Sequence, residues 1–301
     1  MPAGAQDGLE RAQQSVLLFG ERVDAVSGNV GGLYGERMPP GIGRQATPVS
    51  TARLMPAAVL GKAVKTKLAA LSPGDARRLD LLARLEERVD SHGASEAAVQ
   101  EAKRLLRMML RRAEPGVLER LLASRAEIEI IPRDHKLTDL PHFLAYRGMR
   151  TFDGRLWDEV RGMGNAPWLN RAGVSCAVAE ENLLGGDDDD SGYASAGFLF
   201  VHEFSHLIHF NAIPGPGPFE TSEVKIGDVS QAYLEAMKRP GKTGLGRYAD
   251  SSAQEAFAEG VAAYFSVSET ALGPAQLRQS SPELYAVIER LFGPAQSPRR
   301  G

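Results

Sequence analysis

Phe198-Leu199-Phe200-Val201-His202-Glu203-Phe204-Ser205-His206-Leu207-Ile208-His209-Phe210 carries the pattern H-E-x-x-H inside an apolar, helix-compatible run. On an α-helix, residues four apart sit about 40° from each other around the axis and one turn apart along it. His202 and His206 therefore aim at one point. A divalent metal held there, zinc above all, needs neutral imidazoles and a tetrahedral shell with one open position. Glu203 adjoins the first histidine, where it can reach a water on that metal and take its proton. A chance H-E-x-x-H in a chain of this length is expected on the order of 0.01 times. The bland alternative, a core helix with two satisfied histidines, fits poorly, because His and Glu rarely share an apolar helix without a partner.

A catalytic zinc site wants one more protein ligand. His209 shares a face with His202 but lies about 10.5 Å further along the axis, so one ion does not bridge all three on a straight helix. The H-E-x-x-H-x-x-G-x-x-H continuation is absent. His209 reads as structural or as support for a ligand. Among the carboxylates, Glu220 and Glu223 sit in or after the Pro214-Gly215-Pro216-Gly217-Pro218 break, and Glu235 has no acidic companion at helical spacing. Glu255 and Glu259 are four apart on the strongest remaining helix, 253–267. One could bind metal while the other holds a ligand histidine. The residues alone do not say which.

Outward from this centre, the chain divides in character. It has 301 residues, 43 % hydrophobic and 24 % charged, as ordinary globular proteins do. A formal charge of −3 gives no reason to expect nucleic acid. No apolar run is long enough to span a membrane, and the first residues lack the basic start and apolar core of a signal peptide. The single cysteine, Cys176, excludes an internal disulfide and reads as a small buried strand residue. Residues 1–125 read as a helical front, broken by an irregular, Gly- and Pro-rich linker over 27–50. Helices are predicted over 9–26 and 56–71, then from caps at Ser72 and Ser95, the former running through Val89. The cluster Arg104, Arg107, Arg111 and Arg112 reads as a solvated helix face.

At Ala126 the pattern becomes β-branched and alternating. Glu127-Ile128-Glu129-Ile130-Ile131 reads as one strand and residues 173–180 as a second, with an irregular polar stretch between. The acidic run Asp187 to Asp190 reads as a solvated turn rather than a calcium site, because consecutive carboxylates do not all point at one ion. Helices over 228–238, 253–267 and 282–292 complete a second domain, 126–292, with a tail over 293–301.

Tyr248, followed seven positions later by Glu255-Ala256-Phe257-Ala258-Glu259 and downstream of His202-Glu203-Phe204-Ser205-His206, resembles the catalytic domain of anthrax lethal factor and the Pro-Pro endopeptidases. The resemblance covers roughly residues 126–270 and leaves 1–125 unmatched. It implies an α+β fold, a zincin-like metallopeptidase domain with a small sheet and active-site helices behind an all-helical front. It implies Zn²⁺ held by His202, His206 and Glu255, with Glu259 supporting the site, Glu203 as general base and Tyr248 donating to the oxyanion. It further implies a sheet-edge strand, with Val178, Ala179 and Glu180, along which an extended protein or peptide substrate lies. Secretion or a host-directed role follows from the same resemblance. Ser205 stands where the family usually has glycine. A second expectation, from another class, is a toxin or binding protein whose front docks a partner while the metal domain is weak or silent.

Overall fold

The computed structural model describes residues 72–151, 154–167, 173–185, 196–214, 224–268 and 272–295. The helices predicted over 9–26 and 56–71, the 27–50 linker, the acidic run Asp187 to Asp190, and Glu220 and Glu223 lie outside them.

Helix α1 (Pro73–Glu86) starts where Ser72 accepts the Asp75 amide hydrogen, with proline in the first turn. It ends before Val89, which with Asp90 forms the short strand β1. Helix α2 (Glu96–Leu110) is capped by Ser95 and buries Ala98, Ala102, Leu105, Leu106, Met109 and Leu110 along one face. Helix α3 (Pro115–Ala123) leads into strand β2 (Ala126–Ile131). Strand β3 (Gly162–Pro167) follows three 3₁₀ turns, and strand β4 (Val174–Ala179) runs directly into the single-turn helix α4 (Glu180–Leu184). The remaining helices are α5 (Phe198–Asn211), α6 (Ile226–Met237), α7 (Ala253–Tyr264), α8 (Pro274–Ser280) and α9 (Pro282–Phe292).

The sheet order is β1-β2-β4-β3. The first three strands are parallel; β3 runs antiparallel to β4 and is an edge. Alternation along the strands separates two apolar clusters. Ile128, Ile130, Cys176 and Val178 face a large core shared with the helices. Ile131, Ala177 and Ala179 face a smaller one with Leu137, Leu140, Phe143, Tyr146 and Val160. The fold is thus helices around a small mixed sheet, as the α+β reading expects.

Several expectations need correction. The front is not all-helical: β1 pairs with β2 in the main sheet. Nor does the core break at 125/126, since Leu85, Leu105 and Leu121 belong to the same apolar cluster as Phe204, Phe257 and Ile288. Val89 leaves the predicted helix because its backbone completes the sheet. The stretch 133–170, read as irregular, contains β3; Gly162-Met163-Gly164-Asn165-Ala166-Pro167 has no β-branched residue to announce a strand. Most consequential, the strand carrying Val178 and Ala179 is not an edge. It is flanked on both sides, both residues are fully buried, and Glu180 opens α4 and accepts the Ser95 amide. Among the described residues the edges are β1 and β3, and the one beside β4 is β3.

Arg104 pairs with Glu101 and Arg107 with Glu86 on exposed helix surface, as a solvated face requires. Cys176 is fully buried.

A buried charge sits on the sheet face away from α5. Glu129 is wholly enclosed and accepts hydrogen bonds from His92 Nε2 at 3.0 Å and His142 Nδ1 at 2.8 Å, with Asp90, Glu127 and Ser175 nearby. Burial alone would raise the Glu129 pKa, but the bonds from His92, Ser175 and His142 outweigh it and hold it below the usual range. The Glu129 bond raises the pKa of His92. A raised histidine pKa contributes stability that is complete below the unfolded value near 6.5 and is lost as pH rises through the folded one. The lowered carboxyl contributes stability above its unfolded value, lost as pH falls. His92→Ala should therefore cost about 1–2 kcal/mol at pH 5.5 and visibly less at pH 8.5, by urea unfolding. An equal cost at both pH values would mean that His92 carries no extra charge in the folded chain.

Candidate metal centre

The site is built on two packed helices. Helix α5 is apolar on nearly all sides, so it runs through the core, and Phe200, Val201, Phe204, Leu207 and Ile208 are fully buried around it. Ser205, where the resembled family has glycine, is accommodated because its Oγ donates to the Val201 carbonyl at 2.6 Å. Helix α7 starts at Ser252, whose side chain accepts the Glu255 amide hydrogen and fixes that residue in the first turn.

This brings His202, His206 and Glu255 together, each at most 6 % exposed. The two Nε2 atoms are 3.1 Å apart; Glu255 Oε2 lies 3.1 Å from His202 Nε2 and 3.3 Å from His206 Nε2. A tetrahedral ion with ligands at about 2.0–2.1 Å requires ligand atoms about 3.3–3.4 Å apart. The observed triangle is within a few tenths of an ångström of that. Glu255 Oε2 is buried with no hydrogen-bond partner, although it is close to both rings. An enclosed carboxylate oxygen facing two ring nitrogens suits a cation better than a proton network. The three residues could hold a metal ion. Two imidazoles and one carboxylate favour zinc or a similar transition ion over magnesium or calcium, which prefer oxygen alone.

Glu259, one turn beyond Glu255, places Oε1 3.3 Å from His202 Nδ1. Burial pushes His202 toward its neutral form, but Glu255 and Glu259 outweigh it and raise its pKa well above the usual value. Burial likewise opposes ionisation of Glu255, and the two imidazoles reverse this and hold its carboxyl well below the usual range. The geometry thus separates the roles that residue types left open. Glu255 joins the triangle, and Glu259 lies behind the His202 ring, where a carboxylate can orient a ligand histidine. Glu259→Gln should weaken metal affinity about 10–100-fold in competition with a chromophoric chelator. An unchanged affinity would remove Glu259 from that role.

Glu203 is half-buried, and β3 crosses α5 beside it. A Cβ placed on Gly164 would meet the Glu203 carbonyl oxygen at 2.4 Å, His206 Cβ at 2.8 Å and Glu203 Oε2 at 3.0 Å; one on Gly162 would strike Leu199 at 2.7 Å. At Gly164, where the clash would be with backbone, glycine lets the sheet edge lie so close to the histidine helix. Tyr248 stands beside His202, its ring centroid 5.9 Å from that of His202, and is 47 % exposed.

His209 is not in the triangle. It is buried against Phe210 and Phe257, ring centroids 5.2 Å away in each case. Burial, helped by the charge on His206, lowers its pKa to about 3, so it is a neutral core residue. Sequence reasoning missed Gly162, Gly164 and the bulged strand carrying them. The one available signal, two glycines spaced two apart, is common in loops.

No protein-family model matches the chain, and a search of curated proteins gives no match.

Proposed function

We propose that this chain is a zinc-dependent endopeptidase with a zincin-like catalytic fold, similar to the lethal factor and Pro-Pro endopeptidase group. The observation that carries the reading is the triangle of His202, His206 and Glu255 beside the edge strand β3, whose Gly164 packs against Glu203 and His206. Zn²⁺ bound there supplies Lewis acidity, which acidifies water and polarises a carbonyl. His202, His206 and Glu255 would hold the ion through two imidazoles and one carboxylate. Glu203 takes a proton from the attacking water and returns it to the leaving amine. Tyr248, exposed beside His202, donates its hydroxyl to the oxyanion as it forms. The outer edge of β3, unpaired among the described residues, offers backbone donors and acceptors to an extended peptide, which would add to the sheet as another strand. Among the described residues no helix is long and apolar enough to cross a membrane.

The test is a peptide-library cleavage profile of the full chain with and without a chelator. Cleavage that stops on chelation and returns with zinc is expected. No cleavage of any peptide by the zinc-loaded chain would leave the alternative, a binding or effector protein with a silent metal site.

A further inference from the structure

The sheet edge above the metal triangle has a defect, and something holds it. Met163 pairs with Ala177 and Ala166 with Ser175, so β3 spends three steps where β4 spends two. The extra residue falls at Gly164 and Asn165, and Asn165 takes the left-handed conformation (φ 56°) that asparagine tolerates better than most residues. A bulge of this kind drops out of the ladder, so pairing with β4 no longer fixes its position.

Asn211, in the last turn of α5, supplies the missing restraint. Its Nδ2 donates to Asn165 Oδ1 at 2.6 Å and to the Leu207 carbonyl at 2.9 Å. The amide nitrogen carries two hydrogens and so serves both acceptors. Leu207 directly follows the ligand His206, so the bulge is tied to the turn that carries a metal ligand. The other end of β3 is held independently. The Arg161 carbonyl accepts from Ala179, its guanidinium pairs with Glu181 at 2.6 Å, and it also donates to the Pro132 carbonyl.

We propose that Asn165 and Asn211 form an amide clamp that sets the height and register of β3 over the metal centre, and through it the placement of the scissile bond of an extended peptide paired to that edge. The inference rests on the peptidase reading and adds two positioning residues to it. Neither touches substrate. They act by holding the strand that does. A misplacement of about 1 Å at a reacting centre costs on the order of a hundredfold in rate.

The experiment compares the full zinc-loaded chain with Asn211→Ala, Asn165→Gly and the double variant, on a peptide that the unmodified chain cleaves. Glycine at 165 keeps the left-handed backbone open while removing the clamp, so it still tests the idea should Asn211→Ala fold poorly. Each single variant should lose about 10–100-fold in kcat/KM, with kcat itself reduced and zinc stoichiometry unchanged. The double variant should be no worse than the weaker single, because each removes the same contact. A readout free of turnover is hydrogen exchange in the Glu203→Gln background. Peptide should protect the amides of β3, and adding Asn211→Ala should remove that protection. Normal kcat in both single variants, losses that multiply in the double, or undiminished protection would overturn the clamp while leaving the peptidase reading intact. A zinc-loaded chain that cleaves no peptide would overturn both.

Discussion

Glu203→Gln is expected to keep zinc at one ion per chain and to lose peptide hydrolysis by a factor of about 10²–10⁴. The two halves of this result test different statements. Glu203 contributes no atom to the ligand triangle, so metal affinity should not follow its charge. Its side chain lies between the histidine helix and the glycine face of β3, where an attacking water and a peptide on the edge would meet. Glutamine preserves shape and hydrogen bonding but does not accept the proton at neutral pH. A fall in kcat with KM nearly constant would mark an interaction made in the transition state. Activity within a few-fold of the unmodified chain would end the general-base assignment, whatever the metal content.

Glu255→Ala should have the larger effect on the metal itself. Structural zinc sites are worth about 10–16 kcal/mol over four ligands, so one ligand in an even division is worth about 3 kcal/mol, a hundredfold or more in affinity. The buried position sharpens the expectation. Without Glu255 the two imidazoles, each only 4 % exposed, face each other with no carboxylate to balance an ion between them. Zinc should raise the melting temperature of the unmodified chain and do so far less in the variant, since a ligand stabilises only in proportion to its binding. Equal zinc-induced shifts would place the third ligand elsewhere. The Glu259→Gln experiment separates the neighbouring carboxylate, for which a milder loss is expected.

Much of this centre could be read before any coordinates. The four-residue spacing of His202 and His206 and that of Glu255 and Glu259 fix relative directions on a helix, and helical geometry is local. Ser72 and Ser95 announced their helices for the same reason. The β-branched residues of Ile128, Ile130 and Ile131 announced β2. What escaped the sequence is nonlocal. The order β1-β2-β4-β3 depends on which strands find each other in space, and nothing local to Val178 and Ala179 distinguishes an inner strand from an edge. Strand β3 hid because its residues answer to packing rather than propensity: Gly162 and Gly164 are small so that the edge can approach α5, which erases the usual strand signature. The pairing of Asn165 with Asn211 crosses 46 positions and follows no motif. The shared apolar cluster is hidden on similar grounds, since helical periodicity shows that α1 to α3 have apolar faces but not that those faces pack with Phe204 and Phe257.

The most direct test is X-ray absorption at the zinc edge on the full chain loaded with one equivalent of metal, beside the Glu255→Ala variant. The account predicts a four-coordinate ion with two imidazole nitrogens, one protein carboxylate oxygen and one exchangeable light ligand, all at about 2.0–2.2 Å, and loss of the carboxylate signal in the variant. Identical spectra from the two proteins, or an ion carrying no imidazole, would contradict it.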